Sequence, residues 1–256
     1  MMINLFACDL DNTLIHSYKH KTADDICIEI YNGREQSFIS SRTVELLKEI
    51  VTKVLFIPVT TRSIEQYQRI QWIEGIKPEY AVVSNGANLI YNDDIDLQWQ
   101  SDSFKNYINT YSDELKQQQI LLSQNLNFTI CRIVDDGFLF LKCSDTVDIE
   151  KISTEIQKQT NLTVQYSGRK IYLFPPKLDK GEALLRLKYK FNPSQIFGTG
   201  DSVIDVPMLN LTDVAYILND IPLFIRHNQY LICNSIEGTL EDIIKRSHKK
   251  KRQNLS

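Results

Sequence analysis

The sequence has few of the features that would build a disulfide framework or a cysteine-ligated metal site. Its five cysteines are an odd number and include no Cys-x-x-Cys pair that could hold zinc or perform redox chemistry. They are Cys8, Cys27, Cys131, Cys143 and Cys233. No cationic stretch of the kind that opens a secretory signal precedes Asp9. We therefore expect reduced thiols and a cytoplasmic protein.

Charge of one sign and long apolar runs are also lacking. The formal net charge is -3, and no apolar run approaches the length that crosses a bilayer. Nucleic acid or an anionic membrane would require a strongly basic face. The basic run at residues 249–252 has no interleaved aromatic residues and is interpreted as a frayed, solvated tail. The sequence predicts neither a nucleic-acid nor a membrane partner, and it leaves the oligomeric state open.

Short apolar runs alternate with helix-patterned stretches along much of the chain. Strands are predicted at residues 3–8, 54–59, 81–83, 196–199 and 214–218, and helices at 43–51, 63–72, 180–189 and 205–211. This alternation is typical of a parallel sheet covered by helices on both faces. The sequence therefore predicts an α/β fold with a Rossmann-like sheet.

The stretch from residue 88 to 176 departs from that alternation. It carries a polar helix pattern at 103–119, a hairpin at 128–134 and 138–143, a helix at 147–159, and strands at 162–166 and 170–174. We expect a smaller α+β domain of residues 88–176, inserted into a core formed by 1–87 and 177–256. Another hairpin, at 26–30 and 36–39, follows Asp9 so closely that it should overhang a site there.

Polar side chains follow four of the predicted strands. Asp9, Thr60, Ser84 and Asp201 each lie at or just past a carboxyl end. In open α/β sheets, ligands bind along that edge. The sequence therefore predicts one shared site.

Asp9 and Asp11 place two carboxylates in one turn after a buried strand. Carboxylates so close repel, so either a cation lies between them or one of them is protonated. Both arrangements suit phosphoryl transfer. Alone, the pair is equally consistent with a helix N-cap or a solvated turn.

Three further residues could bind an anion. Thr60 and Thr61 precede a predicted helix, where hydroxyls and free N–H groups suit phosphate, although a simple helix cap is an alternative. Lys180 opens another helix, where the helix dipole disfavours a cation. An anionic ligand would account for that lysine, and a surface position is the simpler alternative.

A second acidic pair follows the glycine-lined segment Gly198-Thr199-Gly200. The glycines let the backbone approach a ligand closely, and Asp201 and Asp205 project toward the same edge. Hard carboxylate oxygens in this number suit Mg²⁺.

In this order, the segments resemble the four motifs of haloacid dehalogenase (HAD) superfamily phosphatases. The matching residues are Asp9-Leu10-Asp11-Asn12-Thr13, Thr60, Lys180, Asp201 and Asp205. The insertion resembles the α+β cap of the branch that contains the Cof-type and sucrose-phosphate phosphatases. Motifs and cap together account for nearly the whole chain.

The resemblance implies an enzyme that hydrolyses small phosphate monoesters, with phosphosugars the leading expectation. Asp9 would be the nucleophile and form an aspartyl-phosphate. Asp11 would protonate the leaving oxygen and then activate water. Thr60 and Lys180 would hold the phosphoryl oxygens, with Thr61 as a further contact.

The resemblance also implies the ligands of Mg²⁺. They would be Asp9, the backbone carbonyl of Asp11, Asp201 and Asp205. Two positions depart from the family pattern: Ile204 stands where relatives often have Asn, and Thr61 where they often have Gly.

Two other functions stay open. A sugar phosphomutase would use the same aspartates, and the difference depends on whether the cap admits water. A catalytically silent binding module on the same fold would most simply have lost Asp9 or Asp11, and both are present.

Overall fold

A five-stranded parallel sheet forms the centre of the larger domain in the computed structural model, which describes residues 3–218 and 230–253. In spatial order the strands are β15 (Tyr230–Cys233), β14 (Val214–Leu218), β13 (Gln195–Gly200), β1 (Asn4–Cys8) and β5 (Val54–Pro58). They are nearly continuous apolar runs, as expected when both faces of a parallel sheet are covered. Strand β15 was not anticipated from the sequence.

Helices cover both faces of this sheet. They are α1 (Ser41–Ile50), α2 (Ile64–Gln68), α6 (Lys180–Phe191), α7 (Val206–Leu209) and α8 (Ile236–Gln253). Phe6 and Cys8 pack in one cluster with residues of α1 and α8, whereas Leu5 and Ala7 pack in another with residues of α6 and α7. Successive residues of a strand point to opposite faces, so this division confirms the predicted α/β class.

One predicted strand does not join the parallel sheet. The run at 81–83 lies in an antiparallel sheet of β6 (Tyr80–Val83), β7 (Asn88–Tyr91) and β8 (Asp94–Ile95). A single parallel bridge, between Val59 and Val82, ties this sheet to the end of β5. The tight turn after β6 leads straight into β7, and β7 pairs antiparallel with β6 along its whole length.

The helix predicted at 103–119 is broken. Helix α3 (Leu97–Ser103) and helix α4 (Ser112–Ser123) are separated by irregular helical turns over residues 104–111. Trp99 of α3 packs with the central sheet, whereas Leu115 of α4 packs within the inserted domain. The α-helix is interrupted because α3 packs in the hydrophobic core of the central sheet, whereas α4 packs in the hydrophobic core of the inserted domain. The domain boundary at residue 88 stays a prediction.

The inserted domain is a four-stranded antiparallel sheet backed by two helices. Its strands, in spatial order, are β11 (Thr163–Ser167), β12 (Lys170–Phe174), β10 (Phe138–Cys143) and β9 (Phe128–Val134), and α4 and α5 (Ile149–Gln157) back them. The predicted hairpin at 128–134 and 138–143 is confirmed. We call this domain the cap.

The two faces of the cap sheet differ in chemistry. Leu139 and Leu141 face the cap helices. The alternate positions Phe138, Tyr172 and Phe174 form an aromatic cluster on the other face, and Ile204 of the core packs into it. The cap therefore rests on the core through an apolar contact at Ile204.

A small three-stranded sheet confirms the predicted hairpin after Asp9. It consists of β2 (His16–Ser17), β4 (Arg34–Ser40) and β3 (Asp25–Tyr31), in that order. At the other end of the chain, α8 extends through Gln253, so the backbone of residues 249–252 is helical and the predicted fraying is wrong. Their side chains lie outside what the structure describes. In the described residues, no helix combines the length and apolar character that a membrane crossing needs.

The close contact between α6 and α7 gives a test of this packing. A Cβ built on Gly181 would lie 2.7 Å from the carbonyl oxygen of Pro207. Gly181→Ala should lower the free energy of unfolding by about 1–3 kcal/mol, because backbone must move to admit the methyl group. Gly238→Ala, in α8 with only Ser235 Oγ nearby at 3.7 Å, should be neutral or stabilising by about 0.5–1 kcal/mol. Urea unfolding measures both, and equal effects would contradict the packing.

Candidate active site

Three acidic residues and one lysine meet at the carboxyl edge of the central sheet. Asp9 follows β1, Asp201 follows β13, and Asp205 ends a short helical turn after Asp201. One oxygen from each carboxylate lies within 4.8 Å of the others. Lys180, at the start of α6, donates to Asp9 Oδ1 at 2.5 Å and to Asp205 Oδ1 at 2.6 Å. The structure thus brings together four of the residues predicted from the sequence.

Both carboxylate oxygens of Asp205 accept hydrogen bonds from the protein. Its second oxygen, Oδ2, accepts hydrogen bonds from Asp201 N at 3.1 Å, from Ser202 N at 2.9 Å and from Ser202 Oγ at 2.9 Å. Asp205 therefore positions both Lys180 and the loop that carries Asp201. A direct role in metal binding stays a prediction for this residue.

The charges of the cluster do not balance. Burial raises the pKa of Asp9 above its usual range; Lys180 opposes this effect, and Asp205 and Asp201 add to it. Burial and the adjacent Asp205 raise the pKa of Asp201 to about 6. Burial disfavours the ammonium of Lys180, yet Asp205 and Asp9 hold its pKa above the usual range. One ammonium faces three carboxylates, so the oxygen-rich cluster fits a divalent cation such as Mg²⁺.

The carboxylate of Asp11 pairs with Arg62 and lies outside the cluster of Asp9, Asp201 and Asp205. Arg62 Nε donates to Asp11 Oδ2 and Arg62 Nη2 to Oδ1, both at 2.8 Å. Burial opposes ionisation of Asp11, but this two-pronged contact outweighs it and lowers the pKa of the carboxyl to about 2. The two catalytic aspartates predicted from the sequence therefore have opposite environments.

Sequence reasoning missed Arg62 and the residues that hold it. Glu29, buried in strand β3, accepts from Arg62 Nη1 at 2.9 Å, from Ser37 Oγ at 2.6 Å and from Arg69 Nε at 3.1 Å. Two signals were present: Arg62 directly follows Thr60-Thr61, and Glu29 is a lone acid between Ile28 and Ile30.

Thr60 is buried at the end of the strand, where its hydroxyl accepts from the N–H of Arg62 at 3.1 Å. This is a turn contact and not the helix cap given above as the alternative to phosphate binding, because Ser63 is the residue that caps α2. Thr61 lines the cavities described next. Ser84, the remaining strand-end residue, donates its N–H to the carbonyl of Arg62 at 2.7 Å and so supports the same loop.

Two adjacent cavities, which share four lining residues, lie between core and cap. The smaller, about 40 Å³, is lined by Asp9, Lys180, Asp201 and neighbouring residues. The larger, about 250 Å³, extends beneath the hairpin of β3 and β4 and the cap sheet, which confirms the predicted overhang. The residues that line both are Asp11, Thr61, Lys170 and Tyr172.

Lys170 of the cap was not predicted from the sequence as a site residue. It begins β12, and within the described residues its side chain makes no hydrogen bond or ion pair. Its cross-strand partner on β10, Lys142, lines neither cavity. Lys170 thus brings a positive charge from the cap to the junction of the cavities.

Comparison with known proteins relates this site to sugar-phosphate phosphatases. Residues 3–220 match the family model of sucrose-6F-phosphate phosphohydrolase. The structure is similar to the sucrose-phosphatase of Synechocystis sp. PCC6803 in complex with sucrose and phosphate, with a TM-score of 0.67 and 16% identity over 97% of this chain and 99% of that one. The C-terminal domain of C. albicans trehalose-6-phosphate phosphatase gives 0.65 and 12% over 96% and 93%. A search of the curated proteins finds no match.

The excess negative charge of the cluster predicts that the binding of Mg²⁺ is coupled to the loss of protons from its carboxyl groups. The folded pKa of Asp201, about 6, exceeds the usual carboxyl value. The folded state therefore binds more protons than the unfolded state, and this group lowers the stability of metal-free protein as the pH rises through about 4 to 6. Mg²⁺ at about a hundredfold excess over its Kd should raise the Tm by about 5–10 °C at pH 7.5 and by clearly less at pH 5.5.

Thermal unfolding with and without Mg²⁺ measures this coupling. In Asp201→Asn the Mg²⁺ effect should largely disappear, and the metal-free variant should be more stable than wild type at pH 7.5. Asp136→Asn, an exposed change in the cap, is the control. An equal Mg²⁺ effect at both pH values that survives in Asp201→Asn would contradict the assignment.

Proposed function

The chain belongs to the sucrose-6F-phosphate phosphohydrolase family of HAD-superfamily phosphoric monoester hydrolases, and on that premise we propose that it hydrolyses small phosphosugars through a phosphorylated Asp9. The observation that carries the proposal is the position of Asp9. It is buried, accepts a hydrogen bond from Lys180, and lines a small cavity that lies beside a larger one under the cap.

The sizes of the two cavities support placing the phosphoryl group of the substrate in one and its sugar in the other. A water needs about 10–15 Å³ of such volume, so 40 Å³ holds about three or four waters. A phosphoryl group with its oxygens can replace these waters, but a sugar cannot. The larger cavity, about 250 Å³, would take the sugar. Lys170 and Tyr172 would then lie beside the bond that breaks.

In the first step, an oxygen of Asp9 would attack phosphorus while the bond to the leaving oxygen breaks. Both partners are anionic, and Lys180 offsets part of their repulsion from 2.5 Å. Mg²⁺, held by Asp9, Asp201 and the carbonyl of Asp11, would supply further positive charge there when bound. Asp205 would keep Lys180 and the loop of Asp201 in place.

Asp11 would transfer protons in both steps. It would take up a proton from the monoanionic form of the substrate's phosphate group or from solvent, give it to the leaving oxygen, and then take one from the water that attacks phosphorus and releases Asp9. The ionised form that Arg62 maintains is the one required to activate water. Protonation of Asp11 removes the negative charge that strengthens both hydrogen bonds from Arg62, so the first step requires this contact to weaken.

The larger cavity has the mixed surface that a sugar requires. Phe140 and Tyr172 offer apolar rings, while Gln36, Arg69 and Arg132 offer hydrogen-bond donors. The family match favours hydrolysis over a phosphomutase reaction. The presence of Asp9 and Asp11 beside Lys180 and Arg62 disfavours the silent binding module.

The nucleophile gives the most direct test. Asp9→Asn should lower kcat by at least about a thousandfold on sugar phosphates, because the amide cannot form the phosphorylated intermediate. Acid-quenched wild type should carry one phosphoryl group on the peptide that contains Asp9, detected by mass spectrometry. Asp94→Asn, an exposed change, should retain full activity. A folded Asp9→Asn protein that keeps most of its turnover would rule out this mechanism.

A pair of cap lysines tests the substrate assignment. Lys170→Met should lower kcat/KM for sugar phosphates by about tenfold to a hundredfold, because it removes a donor from the junction of the two cavities. Lys142→Met changes the paired residue on the neighbouring strand and should have little effect. Steady-state kinetics on both variants measure these effects. Equal losses of kcat/KM would show that the reaction depends on the overall charge of the cap and not on the position of Lys170.

A further inference from the structure

The turn between β9 and β10 makes a second contact between the cap and the core, next to the cluster around Ile204. Asp135 and Asp136 both adopt left-handed backbone conformations, with φ of 43° and 54°, and the N–H of Gly137 closes the turn on the carbonyl of Val134 at 2.8 Å. A Cβ on Gly137 would lie 3.4 Å from the Cβ of Ala87 in the core. The tip of this hairpin is therefore packed against the core.

Asp135 makes directional bonds across this contact. Its Oδ2 accepts from the backbone N–H of Ile64 at 2.9 Å and also from the hydroxyl of Ser84. Ser84 is fully buried, and its hydroxyl accepts in turn from Asn88 Nδ2 at 3.2 Å. Bonds to an ionised carboxylate are stronger than neutral ones and are sensitive to geometry. Asp136, its neighbour, is exposed and makes no hydrogen bond within the described residues.

The core residues that Asp135 binds support the loop carrying Arg62. Ser84 N donates to the carbonyl of Arg62 at 2.7 Å, and Ile64 is two residues further along the chain. The guanidinium of Arg62 then holds Asp11 through two bonds of 2.8 Å. A continuous series of polar contacts thus runs from the cap turn to the proposed acid–base residue.

The two contacts between cap and core differ in kind. The cluster around Ile204 is apolar and tolerates sliding, since dispersion contacts have little directionality. The bonds of Asp135 fix both a distance and an orientation. Asp135 lines neither cavity of the site, so it can affect the reaction only through the residues it holds.

We infer that Asp135 is a positioning residue, which fixes the cap turn to the loop of Arg62 and thereby sets the position of Asp11 relative to the substrate. The inference rests on the proposed phosphatase function. The cap then has a second role besides covering the site, because its orientation determines the position of the loop that holds the acid–base residue.

Substrates with different leaving groups separate this role from general support. A sugar alkoxide is a poor leaving group that needs a well-placed proton donor, whereas p-nitrophenolate leaves without one. Asp135→Asn should therefore lower kcat for a sugar phosphate at least about tenfold more than for p-nitrophenyl phosphate. Asn tolerates the left-handed turn as well as Asp does, so the hairpin should keep its shape.

Two further variants act as control and cross-check. Asp136→Asn makes the same chemical change one residue away and should leave both substrates unaffected. Ser84→Ala removes one donor to Asp135 and should lower the sugar-phosphate rate selectively too. The double variant should be less impaired than the sum of the two single effects, because both act on one contact.

Amide hydrogen exchange gives a readout that needs no activity. Exchange at Ile64 and in residues 60–62 should accelerate in Asp135→Asn and not in Asp136→Asn. If the wild-type protein is active, unchanged exchange in Asp135→Asn, or an equal loss of rate on both substrates, would overturn this inference and leave the proposed function intact. A wild-type protein that hydrolyses neither ester would instead remove the proposed function and the catalytic part of this inference with it.

Discussion

The buried ammonium of Lys180 lies between the carboxylates of Asp9 and Asp205, at 2.5 and 2.6 Å, and the rest of the site is arranged around it. Two segments that are remote in sequence, one ending in Asp9 and the other carrying Asp201 and Asp205, bring like charges to one place, and without a cation these charges would repel. Removing one partner of such a buried set typically costs about 3–5 kcal/mol, because the remaining charges lose their compensation. This explains why Lys180 can open helix α6 against the helix dipole.

The same edge of the sheet gives its two nearest aspartates different chemistry. Asp9 is surrounded by carboxylates and a single ammonium, whereas Asp11 faces the rigid fork of Arg62, which Glu29 holds from the other side. Asn12 adopts a left-handed conformation, with φ of 62°, as the chain turns after Asp11. Separated environments for neighbouring carboxylates are how one site can hold a nucleophile and an acid–base residue at once.

Local patterns allowed much of this to be predicted from the sequence. The strands ending at Asp9 and Asp201, the cap hairpin and the start of α6 depend on apolar runs, turn residues and helix signals that lie within a few residues of each other. The pairing of Arg62 with Asp11 spans 51 residues, and its contact with Glu29 spans 33. Such pairs are set by tertiary structure, and the local signals at Arg62 and Glu29 do not identify their partners. The helix break at 104–111 was missed for the same reason, since it depends on two separate cores.

Ile204 illustrates how a departure from a family pattern acquires a physical meaning only in three dimensions. In the sequence it stands beside Asp205, where members of the family that the motifs resemble often have Asn, and the departure implies the loss of a polar contact around the metal. In the structure it is buried among Phe138, Tyr172 and Phe174 of the cap. The small cavity lies directly beneath this contact and is lined by Ile204 and Tyr172 together. Any movement of the cap at this contact would therefore change the walls of the small cavity. An apolar contact suits such movement, because it can separate and re-form without leaving unpaired polar groups.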